Sequence, residues 1–363
     1  MKMYRVAIVG AGNIANTHIA TIKAHSDRAE LVAMVDLDEA RVCSLCEANN
    51  IPKWYTDIGD MLTQEQPDLV HIITPHSTHK TLSIQCLEAG AWVYCEKPLC
   101  GSLADFDEIT AAEQRTGRYV STVFQWRFGS AGKHIKKLVQ TNALGKPMVG
   151  VCNTLWYRTQ DYYDVPWRGK FATEFGGPTL TLGIHLMDLY LWLMGDWQEI
   201  RAMVGTLDRD IEVEDVSMAM VRFQNGMMGS VINSALSPHQ ESYLRLDFQK
   251  ATLECSTLYR YTNEHWTFNQ PANVDDPEIA AHWSALTEDY QGSHSQQLGE
   301  LIESMDRNER PLVSGAEARR IIEFISSLYK SAFTGLPVQQ GEITSDDPYY
   351  YANNGQSEMV SSS

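Results

Sequence analysis

The sequence predicts an α/β domain built on a doubly wound parallel sheet, followed by an α+β domain with a large, mostly antiparallel open sheet. Three observations carry this. The first third alternates short apolar runs with helix-patterned segments, the signature of parallel strands joined by crossover helices. A glycine-rich turn follows the first apolar run. After about Gln125 the pattern changes to runs rich in β-branched and aromatic residues, with an Asn225-Gly226 turn between two of them.

In order, the strand candidates of the first domain are Arg5–Val9, Leu31–Val35, Leu69–Ile73, Ala91–Cys95 and Tyr119–Val123. Helix candidates lie near Ile14–Ala24, Glu39–Ala48, Thr78–Ala89 and Leu103–Arg115. The second domain opens with a helix near Lys133–Thr141 and a strand over Met148–Tyr157, then a helix after Gly176-Gly177-Pro178. Strand candidates follow at Ile200–Val204, Val216–Phe223, Met227–Asn233, Tyr243–Phe248 and Ala251–Cys255, and helices over Ser293–Met305 and Gly315–Thr334 close the domain. The expected boundaries are 1–124 for the first domain, 125–343 for the second, and a loose tail over 344–363.

Composition narrows the function classes. A formal net charge of −17 argues against nucleic acid, which needs clustered Lys and Arg to displace counterions, and against an anionic membrane surface. No apolar run approaches the roughly 20 residues that span a bilayer, so a cytoplasmic protein is expected. The seven cysteines form no regular framework. Cys43 and Cys46 make a single CxxC pair with no second pair at zinc spacing, so no metal site is expected.

Gly10-Ala11-Gly12-Asn13-Ile14-Ala15 reads as the GxGxxA turn of a Rossmann domain, because a strand precedes it, a helix follows, and Asp36 ends the next strand. Gly10 permits the tight turn, Gly12 lets the backbone approach a pyrophosphate, and Ala15 allows close helix–strand packing. Asn13 and Ile14 open the helix whose N-terminus faces the phosphates. A carboxylate at Asp36 suits both ribose hydroxyls and repels a 2′-phosphate, so NAD is expected over NADP.

Two further motifs are Cys95-Glu96-Lys97-Pro98, just after the strand candidate over 91–95, and Gly176-Gly177-Pro178 with His185 and Asp188 beyond it. With the glycine turn, Thr74-Pro75 and His79, Arg127-Phe128, Trp167-Arg168 and Arg310–Gly315, they resemble the Gfo/Idh/MocA oxidoreductases across essentially the whole chain. The family takes its name from glucose–fructose oxidoreductase, inositol dehydrogenase and a rhizopine-catabolism protein. The resemblance implies that Lys97 contacts the substrate hydroxyl, that the Lys97–Pro98 peptide is cis, and that the second domain's sheet supports a homodimer or homotetramer. It also places Thr74, Pro75, His79 and Glu96 at the cofactor, and Arg127, Trp167 and Arg168 at the substrate.

The chemistry of these residues agrees. Strand carboxyl ends form the ligand crevice of an open parallel sheet, so Thr74-Pro75 and Glu96-Lys97 belong where a nicotinamide lies. Beside that cationic ring, Lys97 is expected to act as a neutral amine or proton shuttle. His185 has the proton affinity to take a hydroxyl proton as hydride leaves carbon. Thr181, His185 and Asp188 are expected on one face of one helix, with Thr181 and Asp188 at the substrate. Family dehydrogenases commonly carry aspartate where this chain has Thr181, a hydroxyl that hydrogen-bonds a sugar but cannot act as a base. The expected activity is NAD-dependent hydride transfer at a secondary hydroxyl of a small neutral sugar, inositol or glycoside. The alternatives are an NAD-retaining enzyme that cleaves glycosides by transient oxidation, and a redox-silent protein that senses NAD or a sugar.

Overall fold

A computed structural model of the chain describes residues 2–272 and 277–356. The chain divides into two compact units, residues 1–123 with 294–319 and residues 124–293 with 320–363.

The first unit runs β1 (Tyr4–Val9), α1 (Ala15–Lys23), β2 (Ala29–Val35), α2 (Glu39–Asn49), β3 (Lys53–Tyr55), α3 (Ile58–Glu65), β4 (Leu69–Ile72), α4 (His79–Glu88), β5 (Trp92–Cys95), α5 (Leu103–Thr116) and β6 (Val120–Thr122). All six strands pair in parallel in the order β3-β2-β1-β4-β5-β6. This is the dinucleotide-binding order, with its crevice where β1 and β4 diverge. Val6, Ala7 and Ile8 and the whole of β4 are buried, as strands covered on both faces must be. The seven cysteines are free thiols, and burial pushes the Cys46 thiol on α2 up to about 11.

The second unit contains α6 (Ser130–Gln140), β7 (Pro147–Tyr157), α7 (Phe171–Glu174), α8 (Pro178–Thr181), α9 (Ile184–Met194), β8 (Trp197–Gly205), β9 (Val216–Phe223), β10 (Met228–Ser234), β11 (Leu236–Phe248), β12 (Thr252–Thr257), β13 (Trp266–Asn269) and α10 (Pro277–Ser284). The chain then makes α11 (His294–Arg307), α12 (Ala316–Thr334) and β14 (Val338–Gln339). The eight strands lie in the order β13-β12-β11-β7-β10-β9-β8-β14, antiparallel except for β10 beside β7. One face of this sheet is covered by α9, all eleven residues of which are buried. Among the described residues no helix is long and apolar enough to cross a membrane.

Three features differ from expectation. First, residues 294–319 return to the first unit, where Leu298, Leu301, Ile302 and Met305 of α11 join the core formed with Ile19 and Ile22 of α1. A boundary at 124/125 alone therefore leaves that unit incomplete. Second, the residues from 344 to 356 are packed: Asp347 pairs with Lys330, and buried Asn353 bonds Ser326 and the carbonyl of Phe175. The remainder of the expected tail, 357–363, lies outside the described residues. Third, the helix expected after Pro178 is broken into α8 and α9 at Leu182-Gly183. Gly183 N–H reaches the carbonyl of Pro178, five residues back, which widens the turn. Thr181 thus sits on a different helix from His185 and Asp188.

Candidate functional site

In the first unit, Gly10 has φ +112°, and a Cβ there would meet Ile73 at 2.9 Å. The adjoining Ala11 N–H donates to Asp36 at 2.6 Å, so the carboxylate that ends β2 also braces the turn. A Cβ on Gly12 meets nothing within 4 Å, and the start of α1 has no side-chain cap. An open glycine just before a helix N-terminus that no side chain caps fits a pyrophosphate. Asp36 also accepts from Arg41 at 3.2 Å, a cationic neighbour that the sequence reading passed over.

At the end of β4, the Thr74 and Thr78 hydroxyls bond each other at 2.6 Å. His79 is fully buried, with its ring nitrogens 2.8 Å from the carbonyls of Thr74 and Pro98. Both partners are acceptors, so only the doubly protonated ring donates to both, and burial opposes that form. His79 thereby ties the Thr74-Pro75 turn to the one after β5, and in this structure its two ring nitrogens face backbone. The Lys97–Pro98 peptide is cis, as the resemblance implies.

Glu96 is the centre of a cluster that the sequence reading did not anticipate. Its Oε1 lies 3.0 Å from Nε2 of both His18 and His294, and its Oε2 accepts weakly from the Lys97 amide at 3.3 Å. Burial alone would raise the Glu96 carboxyl, but the bonds from His18 and His294 outweigh it and hold it well below the usual carboxylate range. Burial pushes His18 and His71 down, so both rings are neutral at neutral pH. A carboxylate only accepts, so both Nε2 atoms that face Glu96 carry hydrogen. His18 Nδ1 is then bare, and the proton in its 2.9 Å contact with His71 comes from His71 Nδ1. The donor atoms of His18, Glu96 and His294 lie within 4.8 Å of one another, a set that could also surround a cation. The 3.0 Å contacts describe it as hydrogen-bonded.

In the second unit, the His185 ring stacks on Trp126 at 6.1 Å and 13°, with Tyr259 edge-on at 5.7 Å. Gln125 donates to the Tyr259 hydroxyl at 3.0 Å. Asp188 makes a two-pronged ion pair with Arg127, at 2.7 and 2.5 Å, and both side chains are 1% exposed. The pair is therefore turned away from solvent, whereas both residues were expected at the substrate. Thr181 donates back to the carbonyl of Gly177 at 3.0 Å. Arg168 lies over Trp167 at 4.4 Å and over Tyr162 at 3.9 Å, and pairs with buried Glu174 at 3.1 Å.

The Gly176-Gly177-Pro178 motif has a packing reason. A Cβ on Gly177 would sit 1.8 Å from the carbonyl oxygen of Glu214, and one on Gly176 2.2 Å from the Tyr329 hydroxyl. The buried Glu214 carboxylate accepts from the Gly177 and Thr179 amides and from Tyr329, and so caps α8. Burial pushes its carboxyl up despite those donors. Glu214 and Tyr259 were not legible as site residues, since each reaches its partners across long sequence gaps.

Comparison with known proteins agrees with this geometry. Residues 4–124 match the oxidoreductase family with an NAD-binding Rossmann fold, and residues 133–256 match the GFO/IDH/MocA C-terminal domain. The D-apiose dehydrogenase of Paraburkholderia graminis is 25% identical over 96% of this chain and 92% of its own. The myo-inositol 2-dehydrogenase of Thermotoga maritima is 26% identical over 87% of this chain and 92% of its own. The WlbA dehydrogenase of Bordetella pertussis, crystallised with NADH and UDP-GlcNAcA, superposes with a TM-score of 0.83 at 26% identity, covering 93% of this chain and 99% of that one. Both halves of the chain match, in the order and with the folds described, and the protein therefore belongs to the Gfo/Idh/MocA family of NAD-binding oxidoreductases.

Proposed function

We propose that this protein is an NAD-dependent dehydrogenase of a secondary hydroxyl on a sugar or polyol. The observation that supports it most is His185, a buried imidazole fixed between the faces and edges of Trp126 and Tyr259. Bound NAD supplies the hydride acceptor, held by the Gly10–Ile14 turn and Asp36, with Thr74 and Pro75 lining the crevice. The C–H bond gives up its hydride, the O–H gives up its proton, and a ketone remains. Lys97 and His185 manage that proton. Glu96 acts by holding the Lys97 turn. Arg127 and Asp188 fix the helix that carries His185, and Thr181, Trp167 and Arg168 contact the substrate. The substrates named for the apiose and inositol relatives support a carbohydrate or polyol here.

Self-association belongs to the same proposal. The face of the second sheet opposite α9 exposes Met203, Met218, Met220 and Met228, with Met218 beside Met203 in register. An uncovered apolar face of this kind supports a dimer or tetramer.

The test is NADH formation at 340 nm across inositols, aldoses and glycosides, with NAD and NADP compared. A signal with NAD is expected, and Lys97→Ala and His185→Ala each lower kcat at least 100-fold while NAD affinity changes little. Silence across the panel with NAD still bound would overturn the reading, and full activity in either variant would remove that residue's role.

A further inference from the structure

Strand β7 alternates regularly near its end: Gly150, Cys152, Thr154 and Trp156 are buried, and the residues between them are less so. The buried face is the one that α9 covers, because a Cβ on Gly150 would lie 2.1 Å from the Tyr190 hydroxyl of that helix. Arg158 is the next residue of the same parity, just beyond the strand end. Its amide bonds the carbonyl of Ala235, and its own carbonyl accepts from Arg209 at 2.8 Å, so the backbone is pinned on both sides.

The Arg158 guanidinium lies over the Trp156 ring at 5.1 Å and the Tyr162 ring at 5.3 Å. Trp156 meets Tyr259 edge-on at 5.7 Å, and Tyr259 meets His185 at 5.7 Å. Arg158 is thus two aromatic rings away from the imidazole. Its neighbours Arg168 and Arg209 pair with Glu174 and Asp208. Arg158 is half-buried, and no carboxylate among the described residues pairs with it. It donates to the carbonyl of Tyr157 from Nη1 at 2.8 Å and also hydrogen-bonds the Tyr162 hydroxyl, both of them neutral partners.

A half-buried guanidinium without a counter-ion is costly unless something supplies the charge, and its planar fork matches the oxygens of a carboxylate or phosphate. Cation–π contact with two rings restrains the guanidinium, and the N–H groups beyond those that meet Tyr157 and Tyr162 can meet a ligand. We infer that the substrate is an acidic sugar, bearing a carboxylate or phosphate, and that Arg158 binds this group while the reacting hydroxyl lies at His185. This rests on the dehydrogenase reading and replaces the neutral substrate expected from the sequence.

The experiment compares kcat/KM with NAD for matched sugars: D-glucose against D-glucuronate and D-glucose 6-phosphate, and D-galactose against D-galacturonate. The wild type favours an acidic member at least tenfold, and the favoured arm tells carboxylate from phosphate. Arg158→Gln lowers that selectivity at least tenfold, chiefly through KM. Arg158→Lys keeps the charge without the planar fork and loses several-fold, which preserves the test if the glutamine variant does not fold. Equal or better use of the neutral sugars, or unchanged selectivity in a folded variant, overturns the inference. If none of these five sugars yields NADH, the dehydrogenase reading is decided separately by the wider panel of inositols, aldoses and glycosides, and calorimetry of D-glucuronate and D-glucose 6-phosphate with the NAD-loaded protein decides this inference. Binding that Arg158→Gln abolishes upholds it, and no binding, or binding the variant retains, overturns it.

Discussion

The His18–His71 pair shows how single residues in this fold are set by burial. Both imidazoles are held neutral, below the ordinary value of 6.5, so an unfolded chain takes up their protons first as the pH falls. Their contribution is complete above about pH 6.5 and declines below it, at up to about 1.4 kcal/mol per pH unit for each ring. The depressed Glu96 carboxyl acts in a lower window: its contribution is present above its ordinary value of 4.5 and fades as the pH falls through its folded value. Thermal melts between pH 7.5 and 5.0 should therefore show a falling Tm, with a shallower slope in His71→Asn. A wild-type Tm that is flat across this range would contradict neutral buried rings.

At the scale of elements, two glycines of similar appearance have opposite reasons. Gly12→Ala adds a methyl that touches nothing, so the melt should stay within about 1 kcal/mol of wild type while NAD affinity falls at least tenfold. Gly177→Ala drives a Cβ into the backbone of Glu214, and should cost more than about 3 kcal/mol and lower turnover with it. Equal effects of the two on melting temperature would contradict this division. The sequence made the first of these glycines readable, because strand, turn and helix are contiguous there. It also made the strands of the first sheet readable where both faces are apolar, as in Val6–Val9. It concealed β3, a three-residue edge strand with exposed Lys53 and Trp54, and β14, which has two residues. The need for glycine at the break was hidden because its reason is remote: the side chain of Asn233 occupies the space a Cβ on Gly183 would need, at 1.9 Å. His18 and His294 looked like unremarkable helix residues, since what gives them meaning is a carboxylate 78 and 198 positions away.

Over the whole molecule, the first unit is discontinuous in sequence. Residues 1–124 alone would bare Ile19 and Ile22 of α1 where Leu298, Leu301 and Ile302 normally cover them, and would leave Glu96 without His294. Expressed alone, that segment should be insoluble or melt at least 10 °C below the full chain. Fusing residues 294–319 to its end through a flexible linker should restore most of the difference. A fully stable 1–124 segment would show that α11 is dispensable.

The late position of α11 has a consequence for synthesis. At roughly 5–20 residues per second, about 10–40 s pass between the emergence of β6 and that of the end of α11. Throughout that interval the nascent sheet has its strands but lacks one wall of its core, and the acid of the Glu96-Lys97 motif lacks one of its two imidazoles. The cofactor domain leaves the ribosome ahead of the second unit, yet it is completed only after most of that unit has emerged, and until then its apolar surface is exposed to chaperones.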